Sequence, residues 1–171
     1  QSGGEKMRGK TWKLAAVTLG LSISAAAAVY AQTPGWSLTG EGWRYMSVEG
    51  QYQAARWFQD TDGRWYHFDQ SGIMQTGWIR DKAGNWYYCN TEKEGRFGRM
   101  QTGWHHDTAD GNWYYLNPVS DGTQGTMKTG WLKDADGNWY YLNPVSDGTR
   151  GAMKTGWLKD ADGSWYYLNP V

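Results

Sequence analysis

The sequence predicts an all-β protein, a solenoid of stacked β-hairpin repeats preceded by a helical signal peptide. The triplet Thr-Gly-Trp recurs at a spacing of 26 or 27 residues, and the segment Thr129–Val145 is repeated almost letter for letter at Thr155–Val171. Spacings of this length are typical of arrays in which each unit buries its apolar face against its neighbours. With 13 Trp, 12 Tyr, 24 Gly and a mean hydropathy of −0.80, aromatic rings supply most of the apolar surface, as suits a thin stacked array.

The first part of the chain has the pattern of a secretory signal peptide, predicted to span residues 1–31. Met7 is followed by three basic residues and then by an apolar run from Leu14 to Val29, and small residues precede a cleavage site after Ala31. The alternative is an uncleaved anchor, but the run is shorter than the roughly 20 apolar residues of a spanning helix. Residues 1–6 precede the first Met, and we interpret them as non-native or as the result of a start site assigned too early.

The charge of the predicted mature chain excludes one class of partner. Residues 32–171 hold 13 basic and 16 acidic side chains, which gives a net charge near −3. Such a chain does not attract a nucleic-acid backbone, so no nucleic-acid partner is expected. No membrane association is expected once the signal peptide has been cleaved.

Two regions are predicted after the signal peptide. Residues 32–56 echo the repeat with Gly35-Trp36 and Gly42-Trp43 but without its regular turns, which indicates a degenerate capping repeat. Residues 57–171 form the repeat array itself. The array ends within what would be a loop, so we expect it to be truncated at the C-terminus.

Each unit is predicted to be a β-hairpin. A strand carrying Gly-Trp leads into a turn such as Asp136-Gly137, and an aromatic strand follows, since Asp-Gly suits the positive φ angles of hairpin turns. Alternation puts Trp139 and Tyr141 on one face and Tyr140 and Leu142 on the other. Which face packs on the neighbour depends on the strand register and stays open. Later units add a surface loop, Asn117–Thr123, repeated at Asn143–Thr149.

The residue pattern predicts neither an enzyme nor a metal or cofactor site. Asp134 and Asp160 begin runs that resemble calcium loops, but Trp arrives before any distal Glu, which favours hairpin turns. The histidines (His67, His105, His106) are few and scattered, and no nucleophile has a base and an orienting acid in the pattern. Cys89 occupies the place of Leu in sister units, so it is predicted to be a small buried hydrophobe.

The repeated aromatic residues are the candidate binding groups. Two or three rings around a gap attract a quaternary ammonium through their π-faces, whereas the same rings laid flat would stack on sugars. The third possibility is that the rings only form the core of the solenoid. A core could be filled by Leu or Val without so many aromatic rings, so a binding role is favoured for the array as a whole.

Thr-Gly-Trp, Trp-Tyr-Tyr-Leu and Gly-x-Met together resemble the choline-binding, or cell-wall-binding, repeats of Gram-positive surface proteins and wall-lytic enzymes. These repeats are themselves related to glucan-binding and clostridial toxin repeats. The resemblance covers residues 57–171 and implies a left-handed β-solenoid with choline held in aromatic cages between consecutive units. Carried over by motif position, the implied site residues are Trp57, Trp65, Trp78, Trp86, Tyr88, Trp104, Trp113, Tyr115, Trp131, Trp139, Tyr141, Trp157, Trp165, Tyr167, Met74, Met100, Met127 and Met153.

The function predicted from the resemblance is a secreted, non-catalytic module at the bacterial cell wall. Its expected partner is choline-bearing teichoic acid or another wall polysaccharide, and a homodimer is left open. Two alternatives remain: the same repeats bind glucan or host glycans, or the chain is the targeting tail of a wall hydrolase. His67-Phe68 replace Tyr-Leu in the first unit of the array, which puts a site there in doubt.

Overall fold

The computed structural model describes residues 33–93 and 95–170, and these contain six consecutive antiparallel β-hairpins. The predicted signal peptide and residues 1–6 lie outside the described residues. Every strand has four residues: β1 (Gly35–Leu38), β2 (Trp43–Met46), β3 (Arg56–Gln59), β4 (Trp65–Phe68), β5 (Gly77–Arg80), β6 (Trp86–Cys89), β7 (Gly103–His106), β8 (Trp113–Leu116), β9 (Gly130–Lys133), β10 (Trp139–Leu142), β11 (Gly156–Lys159) and β12 (Trp165–Leu168). The strands pair in sequence order as hairpins 1 to 6, which confirms the predicted all-β array of stacked hairpins.

The hairpin turns depend on a glycine in the left-handed region. In hairpin 3 the Gly84 amide donates to the Asp81 carbonyl, and Gly84 has a φ of +90°. The residue before this glycine does not have a positive φ, so the turn is a type I turn followed by a left-handed glycine. In the Asp-Gly pairs the glycine supplies the positive φ, and the Asp carboxylate can accept a backbone amide, as Asp110 does from Asn112. The Asp that begins a turn does the same, as Asp134 does from Asp136 and Asn138.

Strand register fixes which side chains share a face. In hairpin 3, Trp78 pairs with Tyr88 and Arg80 pairs with Trp86, so all four side chains lie on one face. Ile79, Tyr87 and Cys89 lie on the other face. The first hairpin has the same register, with Trp36 opposite Tyr45. The segment predicted as a degenerate cap thus contains a complete hairpin, although its boundary at residue 56 stays a prediction.

Backbone hydrogen bonds from the connecting segments join each hairpin to the one before it. The amide of Met100, which follows hairpin 3, donates to the carbonyl of Trp65 in hairpin 2 at 2.8 Å. The same segment forms a bridge between Met100 and Cys89 of its own hairpin. Equivalent bonds run from Met127 to Trp86 and from Met153 to Trp113. Because these bonds use main-chain atoms, stacking does not depend on the aromatic side chains alone.

One column of apolar side chains forms the core. It takes the last residue of each second strand, and the buried members are Met46, Phe68, Cys89, Leu116 and Leu142. Cys89 is fully buried, which confirms its prediction as a core hydrophobe. Burial raises the pKa of the Cys89 thiol to about 12, so the thiol stays protonated at neutral pH.

Buried asparagines organise the long connections between later hairpins. The side-chain amide of Asn143 donates to Asp147 and to Thr149 of its own loop, at 2.9 and 2.8 Å. Asn117 makes the corresponding bonds to Asp121 and Thr123. The loops predicted at these positions are therefore ordered turns around one buried amide. Within residues 33–93 and 95–170 there is no helix that is long and apolar enough to cross a membrane.

We predict that Gly125→Ala destabilises the array more than Gly122→Ala. Both glycines have a positive φ, so Ala at either position costs about 1 kcal/mol in backbone strain. A Cβ on Gly125 would also overlap the sulfur and terminal methyl of the partly buried Met100, whereas a Cβ on Gly122 meets nothing within 4 Å. Overpacking of this kind adds roughly 1 kcal/mol or more. Urea unfolding of both variants measures the difference.

The double variant Gly125→Ala with Met100→Ala identifies the clash as the cause. Removing the Met100 side chain relieves the overlap, so the cost of Gly125→Ala should fall towards that of Gly122→Ala. Equal destabilisation by the two single variants would contradict this account of the Gly-x-Met motif.

Candidate ligand-binding site

Consecutive hairpins meet through opposite faces, and each contact is called here a junction, numbered 1 to 5. At junction 3 the face of hairpin 3 that carries Trp78 lies against the face of hairpin 4 that carries Tyr114, with ring centroids 4.8 Å apart. Trp78 also contacts Trp86 of its own hairpin at 6.4 Å. Three rings from two hairpins are thereby brought together, two Trp from one and a Tyr from the next.

The same three-ring set, called here the aromatic cage, recurs along the array. At junctions 1, 3, 4 and 5 the two Trp rings lie 6.3 to 6.5 Å apart at 77° to 82°, and the Tyr ring lies 4.6 to 4.8 Å from the first Trp. Rings this close to perpendicular are in the edge-to-face arrangement that aromatic pairs prefer. The four cages are Trp36, Trp43 and Tyr66; Trp78, Trp86 and Tyr114; Trp104, Trp113 and Tyr140; Trp131, Trp139 and Tyr166.

Junction 2 differs from the other four. Trp57 contacts Tyr87 of the next hairpin at 4.8 Å, but its partner within hairpin 2 is His67, also at 4.8 Å. Among the described residues there is no ring contact between Trp57 and Trp65. His67 Nδ1 lies 2.6 Å from the side-chain oxygen of Gln75, which holds the imidazole in place. The doubt that the sequence raised about this unit therefore coincides with a different ring arrangement.

Hydrogen bonds to carboxylates orient several cage rings. The indole Nε1 of Trp36 donates to Asp60, that of Trp78 to Asp107 and that of Trp131 to Asp160, at 2.7 to 2.8 Å. Each Asp begins the turn of the following hairpin. The hydrogen bond from Trp131, followed by one from the Ala161 amide, lowers the pKa of Asp160. The indole of Trp131 therefore donates to an ionised Asp160 at neutral pH.

The middle tyrosines at junctions 2 and 3 are also held by turn carboxylates. The Tyr114 hydroxyl donates to Asp110 at 2.6 Å, and the Tyr87 hydroxyl donates to Asp81 at 3.2 Å. Burial, together with the hydrogen bond to Asp110, raises the pKa of Tyr114 to about 12. The ring is therefore neutral at physiological pH, and it adds a π-face to the cage without a phenolate charge.

Cations of the protein itself already lie over the outer rings. Lys133 Nζ lies 5.7 Å from the centroid of Trp139, and Lys159 Nζ lies at the same distance from Trp165. Arg80 takes the corresponding place over Trp86 at 5.9 Å. These contacts have the geometry of cation–π pairs, so the second-strand tryptophans carry faces that attract positive charge.

Exposure separates the second-strand tryptophans of the cages from the core, whereas the cage tyrosines Tyr66 and Tyr114 are buried. The second-strand tryptophans Trp43, Trp113 and Trp139 are 36%, 38% and 59% exposed, whereas Leu116 and Leu142 are fully buried. The core interpretation therefore applies to the column of aliphatic and small side chains and only in part to the tryptophans. At junction 1 the three cage rings line a cavity of about 850 Å³.

The remaining predicted residues have other surroundings. Tyr88, Tyr115, Tyr141 and Tyr167 contact the first-strand Trp of their own hairpin at 5.1 to 5.3 Å, and so support it from within. Met74 lines the cavity at junction 1, and Met153 lines a smaller one of about 340 Å³ between hairpins 5 and 6, together with Trp139 and Tyr167. Met100 and Met127 lie beneath Gly125 and Gly151. Trp157 and Trp165 contact each other at 6.4 Å and are 71% and 62% exposed.

Sequence reasoning missed one ring of every cage and the whole first cage. Alternation along the strand places the middle Tyr of each aromatic triplet on the face opposite to the second-strand Trp, and no site role was predicted for it. In the structure this Tyr ring contacts the previous hairpin. A signal for the first cage was present, because Trp43-Arg44-Tyr45 keeps the spacing of the later Trp-Tyr-Tyr triplets. The missed cage residues are Trp36, Trp43, Tyr66, Tyr114, Tyr140 and Tyr166, and Tyr87 is the corresponding ring at junction 2.

Family models match most of the described array. A choline-binding repeat model matches residues 56–97, and a putative cell wall binding repeat model matches residues 102–118, 129–144 and 155–170. No curated protein matches the chain.

Solved structures with the same repeats are similar to this chain. Choline binding protein F from Streptococcus pneumoniae, in the presence of a peptidoglycan analogue, is 37% identical with a TM-score of 0.63, and CbpJ from the same organism is 36% identical with a TM-score of 0.63. A multimodular pneumococcal cell wall endolysin from phage Cp-1, complexed with choline, is 31% identical with a TM-score of 0.51. The matches cover 80%, 80% and 81% of this chain but only 39%, 40% and 35% of those proteins.

We predict that acidification destabilises the His105→Leu variant less than it destabilises the parent chain. His105 lies 3.8 Å from the ring of Tyr88 at junction 3, and its Nε2 is buried without a hydrogen-bond partner. Burial lowers the pKa of His105, so the unfolded chain binds this proton more readily than the folded chain. Stability should therefore fall as the pH drops from about 6.5, the usual His pKa, towards the lower folded value.

Thermal unfolding of both proteins at pH 7.5 and pH 5 measures this effect. Leu occupies the same place in hairpins 5 and 6, as Leu132 and Leu158, so the substitution is one that the fold accepts. The variant should lose less of its unfolding temperature on acidification than the parent chain. An unchanged pH dependence would contradict the role assigned to His105.

Proposed function

We propose that this chain, which belongs to the family of choline-binding, or cell-wall-binding, repeat proteins, is a non-catalytic module that anchors a secreted protein to the bacterial cell wall. Its ligand is the choline carried by teichoic acids, bound in the aromatic cages between consecutive hairpins. The single observation that carries the proposal is the recurrence of one three-ring cage, with almost constant geometry, at four of five junctions.

The cage geometry favours a compact cation over a flat sugar. Two indoles at 77° to 82° to each other do not form one continuous flat surface against which a sugar could lie on both rings. Perpendicular rings instead surround a small volume with electron-rich faces, which suits a quaternary ammonium that needs no hydrogen-bond acceptor. For this reason we rank the binding of glucan or host glycans by the same repeats second.

Several weak sites in one chain explain how a module of this kind would hold a polymer. One cation–π cage contributes about 2 kcal/mol when it is desolvated, which by itself gives weak binding. Linked sites on one polymer raise the overall avidity by roughly 10² to 10⁴ without any new contact. Acidic side chains such as Asp134 and Asp160 cap turns or orient rings, which fits a binding role. This role is compatible with a catalytic domain elsewhere in a longer wall hydrolase.

We predict that choline binds this chain saturably and changes its Trp fluorescence. The matched ligand control is 3,3-dimethylbutan-1-ol, which has the shape of choline but no charge. A cage that works through cation–π attraction should bind the neutral alcohol at least roughly tenfold more weakly. Isothermal titration with both ligands, followed in parallel by fluorescence, measures the ratio.

Variants assign the signal to a cage. Trp131→Ala combined with Trp139→Ala should remove one site's share of the binding heat, whereas Val145→Ala, an exposed apolar side chain outside the cages, should remove none. Equal affinity for choline and the neutral alcohol would exclude the cation mechanism. No heat and no fluorescence change at high choline would move the search to glucans and host glycans.

We also predict that the chain sediments with cell walls that carry choline and is released by free choline. Walls from cells grown with ethanolamine in place of choline are the control, because the primary ammonium is strongly hydrated and offers no methyl groups to the rings. Quantifying the bound fraction on gels measures the effect. Retention on both kinds of wall, unaffected by free choline, would point to a polysaccharide backbone as the ligand.

A further inference from the structure

The cavity at junction 1 is lined by residues from three separate parts of the chain. Hairpin 1 supplies Trp36 and Trp43 of the first cage, and hairpin 2 supplies its Tyr66. The connection after hairpin 3 supplies Lys93 and Arg99. A cavity of about 850 Å³ is several times larger than the roughly 150 Å³ that holds a benzene-sized group, and a trimethylammonium group is of that size. A trimethylammonium group held in the cage would therefore fill only part of this cavity.

The charges around this cavity favour an anion beside the cage. Glu41, which also lines the cavity, accepts a hydrogen bond from Arg44 at 2.6 Å, so a positive charge lies beside its carboxylate. No carboxylate among the described residues pairs with Lys93 or Arg99. Two cations at the rim without an ion-pair partner among the described residues disfavour a ligand that is only a cation, and they attract one that carries a negative group next to its ammonium.

The Arg99 backbone is fixed by its neighbours. Its carbonyl accepts a hydrogen bond from Asn90 at 2.8 Å, and its amide donates to Arg96 at 3.0 Å. Phe97, two residues earlier, packs against the buried cluster of Tyr66, Phe68 and Met74. In the other units the residue between Gly and Met is uncharged, and these residues are Ile73, Thr126 and Ala152.

Resting on the proposed function, we infer that the cavity at junction 1 binds a phosphocholine unit as a whole. The trimethylammonium group lies in the cage of Trp36, Trp43 and Tyr66, and the phosphate ester pairs with Arg99 and Lys93. A guanidinium can bind two phosphate oxygens at once, which makes Arg99 the principal phosphate group. The other cages bind the choline group alone.

The test compares choline with phosphocholine on the whole chain, by following the indole N–H signals in ¹⁵N NMR spectra. Trp36 and Trp43, assigned through their Trp→Phe variants, report on junction 1, and Trp78 and Trp131 report on the other cages. Phosphocholine should bind roughly tenfold more tightly than choline at junction 1, because a charge-assisted hydrogen bond is added. The preference should be absent at Trp78 and Trp131, and it should decline with added salt.

Matched variants identify the phosphate group. Arg99→Gln should abolish the preference at junction 1 while leaving choline binding there intact or stronger, and Lys93→Gln should weaken the preference. Arg96→Gln changes the charge of the same connection at a residue that does not line the cavity, and it should retain the preference. Equal losses in Arg96→Gln and Arg99→Gln would reduce the effect to general surface charge and overturn the inference.

The remaining outcomes separate this inference from the proposed function. Equal affinities of the two ligands at Trp36 and Trp43, with choline shifting the other cages, would overturn the inference and leave the proposed function standing. No shift of any indole with either ligand would refute both. Phosphatidylcholine vesicles and phosphocholine-bearing wall polymer, compared as competitors for the phosphocholine-bound state, distinguish a lipid source from a wall source of the same group.

Discussion

The edge-to-face contact between the first-strand Trp of one hairpin and the middle Tyr of the next is the interaction on which the array depends. A two-stranded hairpin of four-residue strands is not stable alone, because it buries too little apolar surface. The contact of Trp78 with Tyr114, repeated at successive junctions, covers one face of each hairpin with the opposite face of its neighbour. Main-chain bonds from the Met segments, such as Met100 to Trp65, set the hairpins in the positions that these rings require.

The rings that stack the hairpins are also the rings to which the proposed function assigns binding, so that proposal implies that stability and affinity are coupled. Trp78 is held by Tyr88, Tyr114 and the carboxylate of Asp107. Under the proposed function, its partner Trp86 would contribute chiefly to ligand binding. A ligand cation that fills a cage replaces water at faces that are already oriented. The ordering of these side chains is complete before binding, which reduces the entropic cost of weak individual sites.

Divergence between units is concentrated where it can alter ligand preference. Junction 2 has His67 against Trp57, junction 3 has His105 against Tyr88, and junction 1 has Lys93 and Arg99 beside its cage. The core column varies only among apolar or small side chains, because each change there must fit a fully enclosed space. The junction surfaces are partly open to solvent and accept charged and titratable residues more easily. An array of nearly identical units thereby acquires sites that differ in charge.

The sequence by itself determined the period, the hairpins and their turns, and the paired tryptophans of the cages. These features are local: Asp-Gly sets the turn, and alternation along four residues assigns each side chain to a face. Only the tertiary structure decided that Tyr114 and its counterparts complete the cage of the preceding hairpin, and that residues 35–46 form a full hairpin with a cage of its own. It also placed Arg99 beside a cage two hairpins earlier in the chain. These relations depend on which face meets which neighbour, and main-chain bonds between segments distant in sequence fix that choice.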